Sequence, residues 1–468
     1  MVGDGEGEVD ETVTSALPFG ARPCYNPTRR ITTNEEGVAP LPAAEHIDVN
    51  YRVGRHSAVR TDAFVFNQLI PYIGNKRKLL PLIHEAISST ETQPGDVFLD
   101  LFAGSGVVSR LAKVMGLRLV SNDWEPYTAP INGCYVACNQ APAFPQFGGY
   151  ERAISILNNL PPVVGWVTEH LCPRDDAAFD VRRDRMFYTR RNGMRIDAMR
   201  EQILSWQASG ALSEAEKACL LAPLLYQVCY TSNTSGVFKG FHNGWGGPAG
   251  TALYRIASDL QLQPAVFFDN GEGNEVLCND AQACADYLAS QEVAVAYLDP
   301  PYNQHPYGSN YHVLNTVTLW DEPPLSREIT RGTKSAIRTD WRTLRRSPYN
   351  YRDEATKAYR RLVHSLNARY ILTSYSTDGF IPMRALIAAN AERGHVSVLS
   401  KPYKRYRVSS TRFSLKPMNV EFVIVLDTHR EGSVSVEELE RGVLDSEQGA
   451  IAAHPETRAS DATQPVLF

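Results

Sequence analysis

Between Val97 and Asp123 the chain passes through an apolar run, a glycine turn, a helical stripe and a second apolar run. Val97-Phe-Leu-Asp-Leu-Phe102 is short and apolar apart from Asp100, the pattern of a buried strand. Gly104-Ser-Gly106 reads as the turn, Val107 to Met115 as a helix, and Leu117-Arg-Leu-Val120 as a second strand ending at Asn122-Asp123. Strand, helix and strand in this order imply a parallel unit with a right-handed crossover. The spacing therefore predicts an α/β fold whose ligand sits at the carboxyl ends of the strands.

The turn narrows the ligand class. Glycines let a backbone approach a ligand closely, but a lone Gly-x-Gly serves many cofactors. Ser109 breaks the Gly-x-Gly-x-x-Gly spacing of dinucleotide sites, and no Gly-Lys-Ser/Thr follows to cradle phosphates. Asp123, about 20 residues on, stands where a carboxylate binds ribose hydroxyls. A nucleoside without phosphate fits, and S-adenosylmethionine is one. Asp100 as a mere cap or ion-pair partner, and Asp123 as a plain turn residue, remain open. Upstream, Pro71-Tyr-Ile-Gly-Asn-Lys-Arg-Lys-Leu79 feeds a helical stripe from Lys76 to Ile87. Its turn and Lys76 could hold an amino-acid carboxylate; a basic helix start is the simpler alternative.

Tyr297-Leu-Asp-Pro-Pro-Tyr-Asn303 closes a further apolar run, Val293 to Leu298. An amine on an aromatic base is a poor nucleophile because its lone pair is delocalised into the ring. Two acceptors that take both N–H hydrogens restore sp3 character. Asp299 and the carbonyl of Pro300 offer such a pair. Pro300 and Pro301 fix their own φ and restrict the residue before each, and Tyr302 supplies a face for stacking.

A chain of 468 residues has length for two or three domains. Net charge −5 argues against a uniformly basic nucleic-acid binder. The charge is uneven: residues 327–369 carry twelve Lys/Arg against four Asp/Glu, and 401–416 carry six bases and no acid. Eight scattered cysteines lack metal-ligand spacing, so the expectation is no metal and reduced thiols. No signal peptide and no apolar membrane-length run is present, which suggests a cytoplasmic protein without a membrane partner. Residues 1–60 read as a flexible arm, 61–145 and 286–430 as one α/β domain, 146–285 as an insertion, and 431–468 as a disordered tail.

The Lys-containing opening motif, Phe-x-Gly-x-Gly, a large insertion and Asp-Pro-Pro-Tyr, in that order, resemble the D12-class, alpha-group DNA adenine-N6 methyltransferases of the DNA adenine methylase family. The resemblance covers roughly 64–140 and 225–427. It implies a Rossmann-like S-adenosylmethionine-dependent methyltransferase fold with an inserted, mainly helical target-recognition domain. Asp299, Pro300, Pro301 and Tyr302 would then be catalytic. Tyr72, Lys76, Asp100, Phe102, Gly104 and Asp123 would line the S-adenosylmethionine pocket. Cys278-Asn-Asp280 resembles the segment whose acid, Asp280, contacts cofactor or base, although Asp280 also suits a helix N-cap. Tyr72 and Asn75 depart from the Trp and second Gly of many relatives.

On the double-stranded DNA side, Tyr302, Tyr307 and Tyr311 suggest a flap closing over a flipped base. The basic residues Arg327, Arg331, Lys334, Arg338, Arg342, Arg345 and Arg346, with Lys404, Arg405 and Arg407, are candidates for phosphate grip. For base reading, Arg190 and Arg191 in the insertion join Asn233, Lys239 and His242, which lie in a segment resembling the family's recognition hairpin, Asn233-Thr-Ser-Gly-Val-Phe-Lys-Gly-Phe-His-Asn-Gly-Trp245. A cognate restriction endonuclease is a further possible partner. N4-cytosine methylation, RNA adenine methylation and a non-catalytic DNA-binding module are the alternatives.

Overall fold

Among the described residues seven strands form one sheet in the order β3-β2-β1-β4-β5-β7-β6. They are β1 (Val97–Asp100), β2 (Arg118–Asn122), β3 (Glu275–Leu277), β4 (Val293–Leu298), β5 (Ala368–Ser376), β6 (His395–Lys404) and β7 (Met418–Asp427). The structure is a computed structural model describing residues 61–247, 250, 252–404, 418–432 and 435–453. β1 to β5 run parallel, while β7 is antiparallel to both β5 and β6. The predicted α/β fold with a parallel core is the one observed.

Alternating residues send the two faces of the sheet into different cores. Phe98, Leu119, Val295 and Leu372 pack with the helices Leu80–Ser88 and Val107–Val114. Leu99, Val120, Leu298 and Ile371 pack with the helices Ala281–Tyr287, Arg352–Ser365 and Met383–Ala391. A third core belongs to the insertion and is built on the helices Arg190–Ala208 and Glu214–Tyr230. Ser213 opens the second of these with a capping box, its hydroxyl and Glu216 satisfying each other's free N–H groups.

Two expected boundaries move. β3 pairs with β2 at the edge of the sheet, so the insertion ends before Glu275 and not at 285. Its core also takes in Tyr127 to Cys138 from one side and Tyr311 to Trp320 from the other, residues assigned by sequence to the catalytic domain. The expected disordered tail contains the helix Val436–Ala453. That helix packs on β6, β7 and the helix Met383–Ala391, burying Val443, and Thr377 Oγ1 donates to Glu447 Oε1 at 2.6 Å. Val436, Leu439 and Val443 share one face of it, a stripe hidden in the sequence by its acidic neighbours. The arm 1–60 and Arg405 and Arg407 lie outside the described residues. Among the described residues no helix is long and apolar enough to cross a membrane.

Candidate active site

β4 is central in the sheet, and its register with β1 and β5 brings Asp299 to the carboxyl end beside the glycine turn. The turn after Leu298 is braced from outside: Phe380 N–H donates to the Tyr302 carbonyl at 3.0 Å and Asn350 Nδ2 to the Asn303 carbonyl at 2.7 Å. Among the described residues no group donates to the Pro300 carbonyl. Tyr302 sets its ring edge-on to Tyr375, centroids 5.2 Å apart.

Lys76 reaches into this turn from the opening motif. Its Nζ is 2.8 Å from Asp299 Oδ1 and donates to Tyr302 Oη at 2.7 Å, lying 4.9 Å from the centre of that ring. The lysine is 3% exposed. Burial by itself pushes its pKa down, but Asp299, Tyr302 and Glu421 more than offset this and hold it well above the usual value. Burial raises the Asp299 carboxyl, and the Lys76 ammonium restrains the rise. The lysine expected at the cofactor therefore sits on the carboxylate expected to be catalytic.

The glycine turn forms the other half. Gly104 has φ +51°, and a Cβ there would lie 2.9 Å from Tyr72 Cε1, so only glycine lets Tyr72 approach. The Gly104 N–H donates to Asp123 Oδ2 at 2.8 Å, and Glu125 N–H donates to Asp123 Oδ1 at 2.9 Å. Asp123 thus shapes the turn, and burial lifts its pKa to about 6. Asp100 is 1% exposed; Ser109 donates to its Oδ2 at 2.7 Å, while its Oδ1 is enclosed without a partner. Burial raises that carboxyl to about 7. Phe102 meets Tyr349 edge-on at 5.4 Å. Asp280 caps the helix Ala281–Tyr287, accepting from Gln282 N–H at 3.0 Å and Ala283 N–H at 3.2 Å. Sequence reading missed Glu125, buried and raised to about 7 by that burial, which accepts from Asn315 Nδ2 at 2.7 Å.

Tyr307 and Tyr311 form a clamp instead of the expected flap. Tyr311 is fully buried and accepts from Ile73 N–H at 2.7 Å, while Tyr307 donates to the Ile73 carbonyl at 2.9 Å. Both rings stack near Tyr72, at 5.0 and 4.9 Å. The post-catalytic segment so fixes the opening motif against the glycine turn. A stretch of aromatic residues in a loop gives no sign of whether they face solvent or each other.

The expected DNA-contacting residues divide. Asn233 is buried, its Nδ2 donating to the carbonyls of Met186, His242 and Gly244 and its Oδ1 accepting from Gly246 N–H. Its carboxamide is used up in holding the loop, which corrects its expected base-reading role. Lys239 Nζ lies 3.2 Å from His305 Nδ1 in the post-catalytic loop. His242 lines a cleft of about 490 Å³ with Pro71, Thr234, Gly236 and Arg255. The backbone N–H of Arg190 donates to Asp176, and the Arg191 guanidinium pairs with Asp259 at 2.6 Å. In the basic cluster, Arg327 pairs with Glu169, Arg338 with Asp321 and Asp340, Arg345 with Asp340, and Arg346 with Glu354. Sequence counts the charges but not which acid each one meets. Arg331, Lys334 and Arg342 are exposed, Lys334 donating to Asn243 Oδ1 at 3.0 Å.

Comparison with known proteins matches residues 72–357 to the family described as D12 class N6 adenine-specific DNA methyltransferase. The chain is similar to the type II methyltransferase M.NlaIII of Neisseria lactamica, 28% identical over 73% of this chain and 93% of that protein. It is 29% identical to the modification methylase StsI of Streptococcus sanguinis over 72% of this chain and 48% of that protein. With the modification methylase LlaI of Lactococcus lactis subsp. lactis the identity is 28%, over 76% and 54%. The chain thus spans about half the length of the last two.

Proposed function

Because this chain belongs to the D12 class of N6 adenine-specific DNA methyltransferases, we propose that it transfers a methyl group from S-adenosylmethionine to N6 of an adenine flipped out of duplex DNA. The observation that carries this reading is the meeting, at one end of the sheet, of a rigid acceptor turn at Asp299 and a glycine turn shaped by Asp123.

The residues around the glycine turn fit the methyl donor. Asp100 Oδ1 is an enclosed acceptor without a partner, suited to the ammonium of the donor's amino-acid end. Gly104 and Gly106, at φ +51° and +77°, give their Cβ space to Tyr72 and Asn132 and so shape the turn, and Asp123 retains lone pairs for ribose hydroxyls. Phe102 and Tyr72 would supply apolar walls, and the family resemblance assigns Asp280 to the cofactor or the base. When bound, the donor supplies an electrophilic methyl on a positively charged sulfur.

The chain's own task is then to make the amine nucleophilic. Asp299 and the Pro300 carbonyl take the two N6 hydrogens, and Tyr302 stacks on the base. Lys76 aims Asp299 and favours its ionised form, since burial by itself favours the protonated one. The amine lone pair forms the new N–C bond as the C–S bond breaks with its electrons on sulfur. The N6 proton then leaves to water by way of Asp299. No protein nucleophile is required.

Lys239, His242, Arg331, Lys334 and Arg342, together with Arg190 and Arg191 on the insertion, are the residues we assign to DNA contact. Acting on the genome, the protein works in the cytoplasm, paired with a restriction endonuclease of matching specificity. The test is purified protein with labelled S-adenosylmethionine and unmodified duplex DNA, followed by nucleoside analysis. N6-methyladenine is expected; label only in N4-methylcytosine or only in RNA would overturn the reading.

A further inference from the structure

The opening motif turns one apolar side chain outward while its neighbours turn in. Lys76 is buried against Asp299 and Leu79 is buried in the core with the helix Leu80–Ser88, whereas Pro71, Ile73 and Gly74 are exposed. Ile73 keeps 45% of its surface open. Single exposed aliphatic side chains are ordinary on a protein, but Ile73 differs in how it is held. Its N–H donates to Tyr311 Oη at 2.7 Å, and its carbonyl accepts from Tyr307 Oη at 2.9 Å. Both of its main-chain groups are thus fixed by side chains from the segment after the Asp-Pro-Pro-Tyr turn. The next residue, Gly74, has φ +75°, and the place a Cβ would take there lies 3.0 Å from Tyr307 Oη and 3.7 Å from Tyr302 Oη. Ile73 therefore stands at the lip of the turn, beside the ring assigned to stack on the base. β-Branching leaves its side chain few rotamers. The result is a stiff apolar point, pinned from behind and open in front.

The chain next to this point is cationic. Arg77 and Lys78 are exposed and have no ion-pair partner among the described residues, and Lys239 of the insertion meets His305 shortly after Tyr302. Cations with an apolar tip among them suit duplex DNA, which offers phosphates to the first and a base stack to the second. Taking an adenine out of a duplex leaves a gap in that stack, and an aliphatic side chain that fills it offsets part of the lost stacking. We propose that Ile73 enters the duplex where the target adenine leaves it and holds the gap open. A point that is already rigid loses little freedom on insertion. The clamp of Tyr307 and Tyr311 then gains a task, since it fixes Ile73 relative to Tyr302, and so the wedge relative to the flipped base. The inference rests on the adenine-methylation reading and adds to it the group that keeps the base out.

The test uses the full-length protein and a short duplex around an adenine that it methylates, with that adenine either paired to thymine or facing an abasic position, from which it swings out without breaking a pair. Ile73→Ala keeps both backbone hydrogen bonds of the clamp. It should lower kcat/KM on the paired duplex about tenfold, the size of a few methyl groups no longer covered. On the abasic duplex the loss should shrink to less than about twofold, because an unpaired base leaves the stack more easily. With 2-aminopurine in place of the target adenine, the rise in fluorescence on binding should be smaller for the variant than for wild type. The KM for S-adenosylmethionine should not change. An equal loss on both duplexes, an unchanged rate on the paired one, or a raised donor KM overturns the inference by making Ile73 a structural residue or a donor contact. Ile73→Leu keeps the apolar bulk and should retain most of the activity; a loss as large as that of alanine is equally fatal. Wild-type protein that methylates no adenine in duplex DNA refutes the adenine reading and this inference with it. Wild-type protein that methylates adenine, with Ile73→Ala indifferent, refutes the wedge and not the reading.

Discussion

Lys76 Nζ lies 2.8 Å from Asp299 Oδ1, joining the first motif of the chain to the Asp-Pro-Pro-Tyr turn. The contact makes two separately recognisable segments one device. The opening motif contributes the cation that restrains the rise of the Asp299 pKa, and the tyrosine clamp on Ile73 holds that motif in place. Since Tyr311 belongs to the core of the insertion, the same clamp ties the insertion to the opening motif.

Asp299→Ala removes the carboxylate acceptor while sparing the glycine turn. Turnover on duplex DNA should fall by at least about 100-fold, the usual size of a lost charge-stabilising contact, with S-adenosylmethionine binding retained by calorimetry. Near-normal turnover would falsify the role given to Asp299.

Lys76→Met should change the pH profile as well as the rate. Asp299 works as a carboxylate, so activity disappears as pH falls through its pKa. Burial raises that pKa and Lys76 restrains it. Without the ammonium the pKa climbs further, and the acid limb of kcat should move to higher pH by about 1–3 units. An unmoved limb would mean that Lys76 does not act on Asp299.

Asp100 should make the donor-free protein less stable in base. Its folded pKa of about 7 lies above the ordinary 3.8 because of burial, so the native state binds a proton more tightly than the unfolded chain. Its contribution is fully present below the unfolded value and is lost as pH rises through about 7. Asp100→Asn carries no such charge. Its melting temperature relative to wild type should therefore climb by a few degrees between about pH 5 and about pH 8. Scanning fluorimetry across that window would expose a flat difference, which counts against the buried charge.

Tyr311→Phe deletes the acceptor of the Ile73 N–H and nothing else. Leaving that donor unpaired costs about 1–3 kcal/mol, and the loosened opening motif should raise the KM for S-adenosylmethionine several-fold. Steady-state kinetics with varied donor would detect it; a KM equal to wild type would leave the clamp without functional weight.

Arg331 and Arg338 should differ in the salt dependence of DNA binding. Arg331→Ala is expected to lower the slope of log affinity against log salt by about one phosphate contact. Arg338 is already paired with Asp321 and Asp340, so Arg338→Ala should lower the melting temperature and leave the slope alone. Filter binding over a salt series separates the two.

Much of the protein is legible in its residues because the signals are local. The apolar run around Asp100, the turn at Gly104 and the double proline after Asp299 each follow from neighbours in sequence, and the α/β sheet follows with them. Charge and aromatic content are legible too, as amounts. The tertiary structure alone decided the partners. It placed Lys76 on Asp299, Asp123 on the Gly104 N–H, Arg338 on Asp340, and Tyr311 in the core beneath Ile73. It also left the Ile73 side chain exposed above two clamping tyrosines and folded the C-terminal acidic stretch into a docked helix. Local sequence sets backbone preference and burial tendency. Which charge meets which is a matter of distance across the fold, and a buried charge owes its state to that distance.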